Sequence, residues 1–224
     1  MFEKNFAGSV NLFVHGRTKL KMAIHMGAVK GLWNIVLSGY PKSGKTMLAN
    51  RLVAENKKFA RVGVDDLRAM LFNEVPPCRD EFLVYSIIAE LRDYLLRKGY
   101  SVVIDSTAPD NVTRSFLLMT KIKNVNRLVI LFNVEREVII ERNIALFGDS
   151  TPIFAWDERW ENPPVGVPIF KFKSNNMEEF EAYYARLTEL LESEMHPYKP
   201  EFQQVKPSKR RIKALRDLLK RRFK

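Results

Sequence analysis

One stretch, Trp33 to Asn50 (WNIVLSGYPKSGKTMLAN), constrains what this chain can fold into more than any other. A mostly apolar run, Trp33–Ser38, leads into Gly39-Tyr40-Pro41-Lys42-Ser43-Gly44-Lys45-Thr46 and then into the helix formers Met47, Leu48 and Ala49. This is G-x-x-x-x-G-K-T between a strand and a helix, the context in which the pattern forms a phosphate-binding loop. The glycines let backbone N–H groups turn inward around phosphate oxygens, Lys45 reaches the β- and γ-phosphates, and the Thr46 hydroxyl is placed to hold Mg²⁺. The following helix adds its positive N-terminal end. Residues 39–47 are therefore the candidate nucleotide site, with Met47 opening the helix.

The rest of the chain alternates strands with helices. Expected strands are Phe59–Val64, Ser101–Asp105, Leu128–Val134 and a short fifth near Ile169–Phe172. Between and after them lie expected helices over residues 79–97, from Pro109 to about Lys121, over 135–146 and over 177–195. Alternation after a phosphate loop implies an α/β fold, a parallel sheet of about five strands with helices on both faces, as in P-loop NTPases and kinases. The helix at 135–146 would serve as a lid, and residues 153–173 form an aromatic, proline-broken stretch. The expected organisation is a basic extension at 1–30, a P-loop domain at 31–196 and a basic tail at 197–224 that ends in a helix.

Charge is confined to the two ends. Of a net charge of +11, residues 1–30 carry five Lys or Arg against one acid, and residues 206–224 carry ten against one. The segment between is nearly neutral. Affinity for RNA or another polyanion would then be a property of the tails. No apolar run approaches the length of a bilayer span, so a protein free of the membrane is expected. Cys78 is the single cysteine, which rules out an internal disulfide and favours a reducing, cytoplasmic setting. His15, His25 and His196 do not cluster with other ligands, and no zinc site is expected.

A phosphate loop serves many ATPases, and the acids beyond it decide between them. Asp65 follows the second strand on the sheet edge where ligands sit, and a carboxylate there can take the proton of an attacking hydroxyl. Arg68, one helical turn on, could hold an anionic acceptor with its fork; the alternative is Asp65 or Asp66 capping the helix with Arg68 solvated. Asp105 closes the third strand as a Walker B acid would, suited to Mg²⁺, or it caps a turn. Arg142, with Asn143 in the lid helix, could swing over the transferring phosphate, or it is an exposed helix arginine.

Taken together, G-Y-P-K-S-G-K-T, V-D-D-L-R, V-V-I-D-S-T and I-I-E-R-N resemble the P-loop kinases that phosphorylate hydroxyls on polynucleotides. These are the phage-type polynucleotide 5′-kinases and the similar kinases acting on the seryl group of selenocysteine tRNA. The resemblance spans about residues 33–172. It implies Asp65 as general base, Arg68 as the acceptor contact, Arg142 as a contact to ATP phosphates, and ATP with Mg²⁺ as cofactors. Arg159-Trp160-Glu161-Asn162-Pro163 is also similar to the segment after the lid in the tRNA kinases and their Elongator-associated relatives, with packing as the other reading. The pattern is broken in two places. Lys42 stands where the family often has Gly, and Leu146 and Phe147 stand where the lid usually supplies a second arginine. Either Arg136 or Arg159 would substitute, or the chain is a slow kinase or a nucleotide-gated binder. The functional expectation is phosphoryl transfer to a hydroxyl of RNA or tRNA, with a small-metabolite acceptor or an ATP-switched binding factor as alternatives.

Overall fold

A computed structural model describes residues 31–74, 78–148, 151–164 and 166–193. The basic extension and the basic tail lie outside the described residues.

Strand β1 (Leu32–Ser38) runs into the phosphate loop and helix α1 (Lys45–Glu55). Strand β2 (Phe59–Gly63) is followed at once by α2 (Val64–Phe72), and the long α3 (Glu81–Arg97) returns to β3 (Ser101–Asp105). Helix α4 (Asn111–Leu118), β4 (Val125–Phe132), α5 (Arg136–Phe147), α6 (Thr151–Asp157), β5 (Ile169–Phe172) and α7 (Met177–Glu192) complete the domain. All four strand pairings are parallel, in the order β2-β3-β1-β4-β5.

The two-residue period of a strand explains the layers. On β1, Trp33, Ile35 and Leu37 face a core completed by Leu48 and Leu52 of α1 and Phe180, Tyr184 and Leu187 of α7. Val36 joins the opposite core, which Leu67 of α2, Val84 and Ile88 of α3 and Leu117 of α4 complete. Both faces of the central strands are thus buried, as the apolar runs at β1 and β3 require.

The five strands and the helices between them follow the expected order with shifted ends: β4 begins three residues and ends two residues before the expected Leu128–Val134, and Val64 opens α2 rather than closing β2. Two further differences have a structural cause. Helix α4 ends at Leu118 rather than near Lys121, because α3 terminates it. Arg92 of α3 donates to the carbonyls of Phe116 (3.3 Å) and Leu117 (3.0 Å), and Asp93 accepts from the Thr120 hydroxyl at 2.7 Å. The other difference is α6, a short helix in a stretch whose prolines and aromatics suggested irregular chain. Ile153 anchors it in the interior at 1% exposure.

Sheet order positions the site. Strands β2, β3 and β1 are neighbours, and the register sets Gly63 opposite Asp105. Their C-terminal ends therefore bring α2's first turn, Asp105 and the phosphate loop to one edge, the edge where open parallel sheets bind ligands.

Candidate active site

The phosphate loop is shaped by contacts that leave it little freedom. A side chain at Gly39 would bring Cβ to 2.7 Å from Phe132 Cβ and 2.9 Å from Ser43 Oγ, so the loop must leave β1 at a glycine. Gly44 caps α1 at φ +95°, and no side chain satisfies the N–H groups there. The first backbone bond of the helix runs from Leu48 N–H to Gly44 at 3.1 Å, so the amides of the preceding turn are the ones presented to an anion. Lys42 adopts φ +64°, a left-handed conformation that favours glycine, which accounts for the Gly common at this place in the resembled family.

Lys45 is buried at 7% exposure, and its Nζ donates to Tyr40 O at 2.5 Å and Ser43 Oγ at 3.2 Å. Burial lowers its pKa to about 8, although the charges of Asp105 and Asp65 act to raise it and Lys42 lowers it further. Both carboxylates thus act electrostatically on the phosphate-loop lysine.

Asp65 stands in the first turn of α2 without capping it. The N-cap is Gly63, no side chain serves as cap, and the Asp65 carboxylate is 70% exposed. Its Oδ1 accepts from Arg68 Nη1 at 2.5 Å. Arg68 is neither solvated nor open to the cleft. Its Nε and Nη2 close on the carboxylate of Glu81, at 3.0 and 2.7 Å, and the side chain is only 9% exposed. Glu81 also accepts from the backbone N–H of buried Cys78 at 2.9 Å. The neighbouring Asp66 pairs with Arg61 of β2 at 2.5 Å.

Asp105 is 8% exposed, and Arg61 donates to its Oδ2 through Nε (3.0 Å) and Nη2 (2.7 Å). Both bonds fall on one oxygen and leave Oδ1 for another partner. Mg²⁺ fits this chemistry. Oδ1 and the exposed Thr46 hydroxyl are hard oxygen donors on one sheet edge, and such an ion takes its remaining ligands from phosphate oxygens and water. Among the described residues no group of three or more His, Cys, Asp or Glu could hold a metal alone.

Arg142 projects from α5 and donates to the carbonyls of Lys42 (3.3 Å), Ser174 (2.7 Å) and Asn175 (2.8 Å). No carboxylate pairs with it among the described residues, so its charge is available to an anion. It lines a cavity of about 330 Å³ with Lys42, Gly44, Met47, Ser174, Asn176 and Met177. The two candidates for a second lid arginine are engaged elsewhere. Arg136 forks onto Asp157 at 3.0 and 2.6 Å, while Arg159 lies over Trp156 with Asp110 at 3.9 Å.

The R-W-E-N-P segment packs beside the phosphate loop. The Trp160 ring stacks on Tyr40 with centroids 5.0 Å apart, and the Arg114 guanidinium lies 5.6 Å from its ring centroid. The Tyr40 hydroxyl donates to Asp157 at 2.7 Å; burial and that carboxylate push its pKa up to about 12. Arg114, buried at 2% exposure, donates to the carbonyls of Ala108, Pro109 and Glu161, joining this segment to the β3–α4 loop.

Glu81, Arg61, Arg114 and the Ser174–Asn176 turn are absent from the sequence expectations. Only Arg61 carried a local signal, a cation inside a half-buried strand that must find a counterion. The other three meet the site through contacts that no motif spacing records.

The phosphate loop, the acid closing the strand next to it and this strand order define a P-loop kinase fold. The AAA domain family profile matches residues 35–146, half of the chain, and the chain belongs to that family. No curated protein matches the chain in sequence. Solved structures with this fold include a gluconokinase from Sinorhizobium meliloti 1021, 22% identical with a TM-score of 0.51, covering 71% of this chain and 95% of its own. Chaetomium thermophilum Kti12 in complex with ADP-AlF3 is 16% identical with a TM-score of 0.54, covering 71% and 99%. The Mycobacterium tuberculosis APS kinase CysC, in complex with AMPPNP and APS, is 16% identical with a TM-score of 0.56, covering 73% and 99%.

Proposed function

We propose that the protein is a kinase that binds ATP with Mg²⁺ on residues 39–47 and transfers the γ-phosphoryl group to a hydroxyl of RNA or an RNA-linked acceptor. The observation that carries this reading is the state of Asp65. Its carboxylate is exposed at the sheet edge, caps nothing, and acts electrostatically on Lys45. A carboxylate so disposed can orient an alcohol and take its proton as the oxygen attacks in line.

The other residues fit supporting roles. Lys45 and the open amides before Leu48 would hold the β- and γ-phosphates, and Arg142 would take up charge on the transferring group. The cavity beside Arg142, walled by the half-exposed Met47 and Met177, suits the flat base of the nucleotide. Thr46 and Asp105 Oδ1 would hold Mg²⁺, which when bound neutralises charge on the β- and γ-oxygens.

A small metabolite as acceptor is favoured by one observation. The Arg68 fork, the contact the resemblance implies for an anionic acceptor, is closed on Glu81. The gluconokinase and the APS kinase in complex with AMPPNP and APS share this fold.

Transfer from γ-labelled ATP to 5′-hydroxyl RNA, tRNA and pooled metabolites tests the reading. Asp65→Asn should cut transfer by about 10²–10⁴-fold and leave ATP affinity intact. Label on metabolites alone would assign the small acceptor. ATP hydrolysis that depends on RNA with no labelled product would replace the kinase with an ATP-gated binding factor.

A further inference from the structure

Arg68, the arginine of V-D-D-L-R, is held inside the protein. Glu81, at the first turn of α3, receives Arg68 Nε on both oxygens (3.0 and 3.2 Å) and Nη2 on Oε2 (2.7 Å). Asp65 receives Nη1, and the Arg68 guanidinium carbon lies 5.9 Å from the ring centroid of Tyr85. Three of the five guanidinium N–H groups are thereby engaged, all on carboxylates. With the Cys78 N–H also donated to Oε1, Glu81 is fastened from both sides. The three charged groups sum to one negative charge.

We propose that Glu81 sets the charge of the acceptor: it fills the Arg68 fork, so the cleft takes a hydroxyl compound with no anionic group beside the hydroxyl that is phosphorylated. This rests on the kinase reading of Asp65. A phosphate or carboxylate reaching for Arg68 must first displace Glu81, leaving that carboxylate half-buried without its cation, and then lie between two acids and one arginine. An uncharged polyol or sugar hydroxyl meets no such opposition and can donate to the exposed Asp65. An RNA 5′ end carries its first phosphate on the same sugar as its hydroxyl and is opposed by the same arrangement, so the closure of Arg68 on Glu81 favours the small-metabolite acceptor over the RNA acceptor. Glu81 is ionised in this role. Burial alone would raise its carboxyl, and the Arg68 fork with the Cys78 N–H outweighs that and holds it below the usual carboxylate range.

The experiment uses the full chain with its phosphate loop filled by AMPPNP, inorganic sulfate as the anionic probe, and the Arg68 Nε–H resonance, identified through Arg68→Lys, as the readout. In the native protein this resonance should stay fixed as sulfate is added, whereas in Glu81→Gln it should move saturably. Saturable movement in the native protein, or none in a Glu81→Gln variant that melts within a few degrees of it, overturns the proposal. Should Glu81→Gln not fold, the native titration still decides, together with a matched pair of ligands. Adenosine should bind the AMPPNP-loaded native protein at least about tenfold more tightly than adenosine 3′-phosphate, the scale expected when like charges are brought together. Equal or tighter binding of the phosphate overturns the idea. If no acceptor is ever labelled while Arg68 behaves as stated, the kinase reading falls and the assignment of Glu81 as the guard of Arg68 stands.

Discussion

Lys45 carries the strongest consequence of a single side chain. Its pKa near 8 arises because the buried ammonium lacks full compensation from Asp105 and Asp65. The folded value lies below that of an unfolded lysine. The free protein therefore pays for this charge below pH 8 and is relieved as pH rises from about 8 toward the unfolded value, where the unfolded state binds more protons. Nucleotide phosphates reverse the preference by stabilising the charged form. ATP binding at pH 8–9 should take up protons, and affinity should fall as pH climbs through 8. Calorimetry in buffers of different ionisation enthalpy measures this, and Lys45→Met should abolish the uptake with the affinity.

Among the elements, the β1–loop–α1 unit was legible because its constraints are contiguous: glycine positions, an apolar run and a helix start within one short window. Local signals also marked Asp65, in the first turn after β2, and Asp105, which ends β3. What closes around those acids was not legible, because Arg68 meets Glu81 across a connection, and Trp160 meets Tyr40 across most of the domain. The end of α4 shows the same limit. Helix propensity continues past Leu118, but the buried Arg92–Asp93 pair of α3, 2.8 Å apart, takes the carbonyls and the Thr120 hydroxyl there. Burial would raise the Asp93 carboxyl, and Arg92 and Thr120 more than offset it and hold it low. Arg92→Leu strands that carboxylate in the interior and should cost about 3–5 kcal/mol in urea denaturation. Asp93→Asn, which keeps the hydroxyl contact, should cost less.

For the molecule as a whole, the division of charge matters most. The described body is built around the nucleotide edge, and no helix among the described residues is long and apolar enough to cross a membrane. Ten of the chain's 37 basic residues fall in 206–224. If RNA is the acceptor, these residues should supply much of the salt-dependent affinity. Deleting 206–224 should lower the slope of log K against log salt by about 0.7 for every single-strand phosphate that the tail neutralises in the intact protein. Filter binding at several salt concentrations reads this directly; an unchanged slope would confine RNA recognition to the body. The fold was readable at this scale from motif order, whereas the acceptor was not, since it depends on which charges the cleft leaves uncovered.

The single thiol offers a clock for that cleft. Cys78 is buried, and its own amide is one of the ties that restrain Glu81. A buried sulfhydryl meets an alkylating reagent only when its surroundings open, so the pace of its labelling counts local openings beside Glu81 rather than intrinsic reactivity. Glu81→Gln should quicken that pace, and AMPPNP, held on the far side of β3, should leave it almost unaltered.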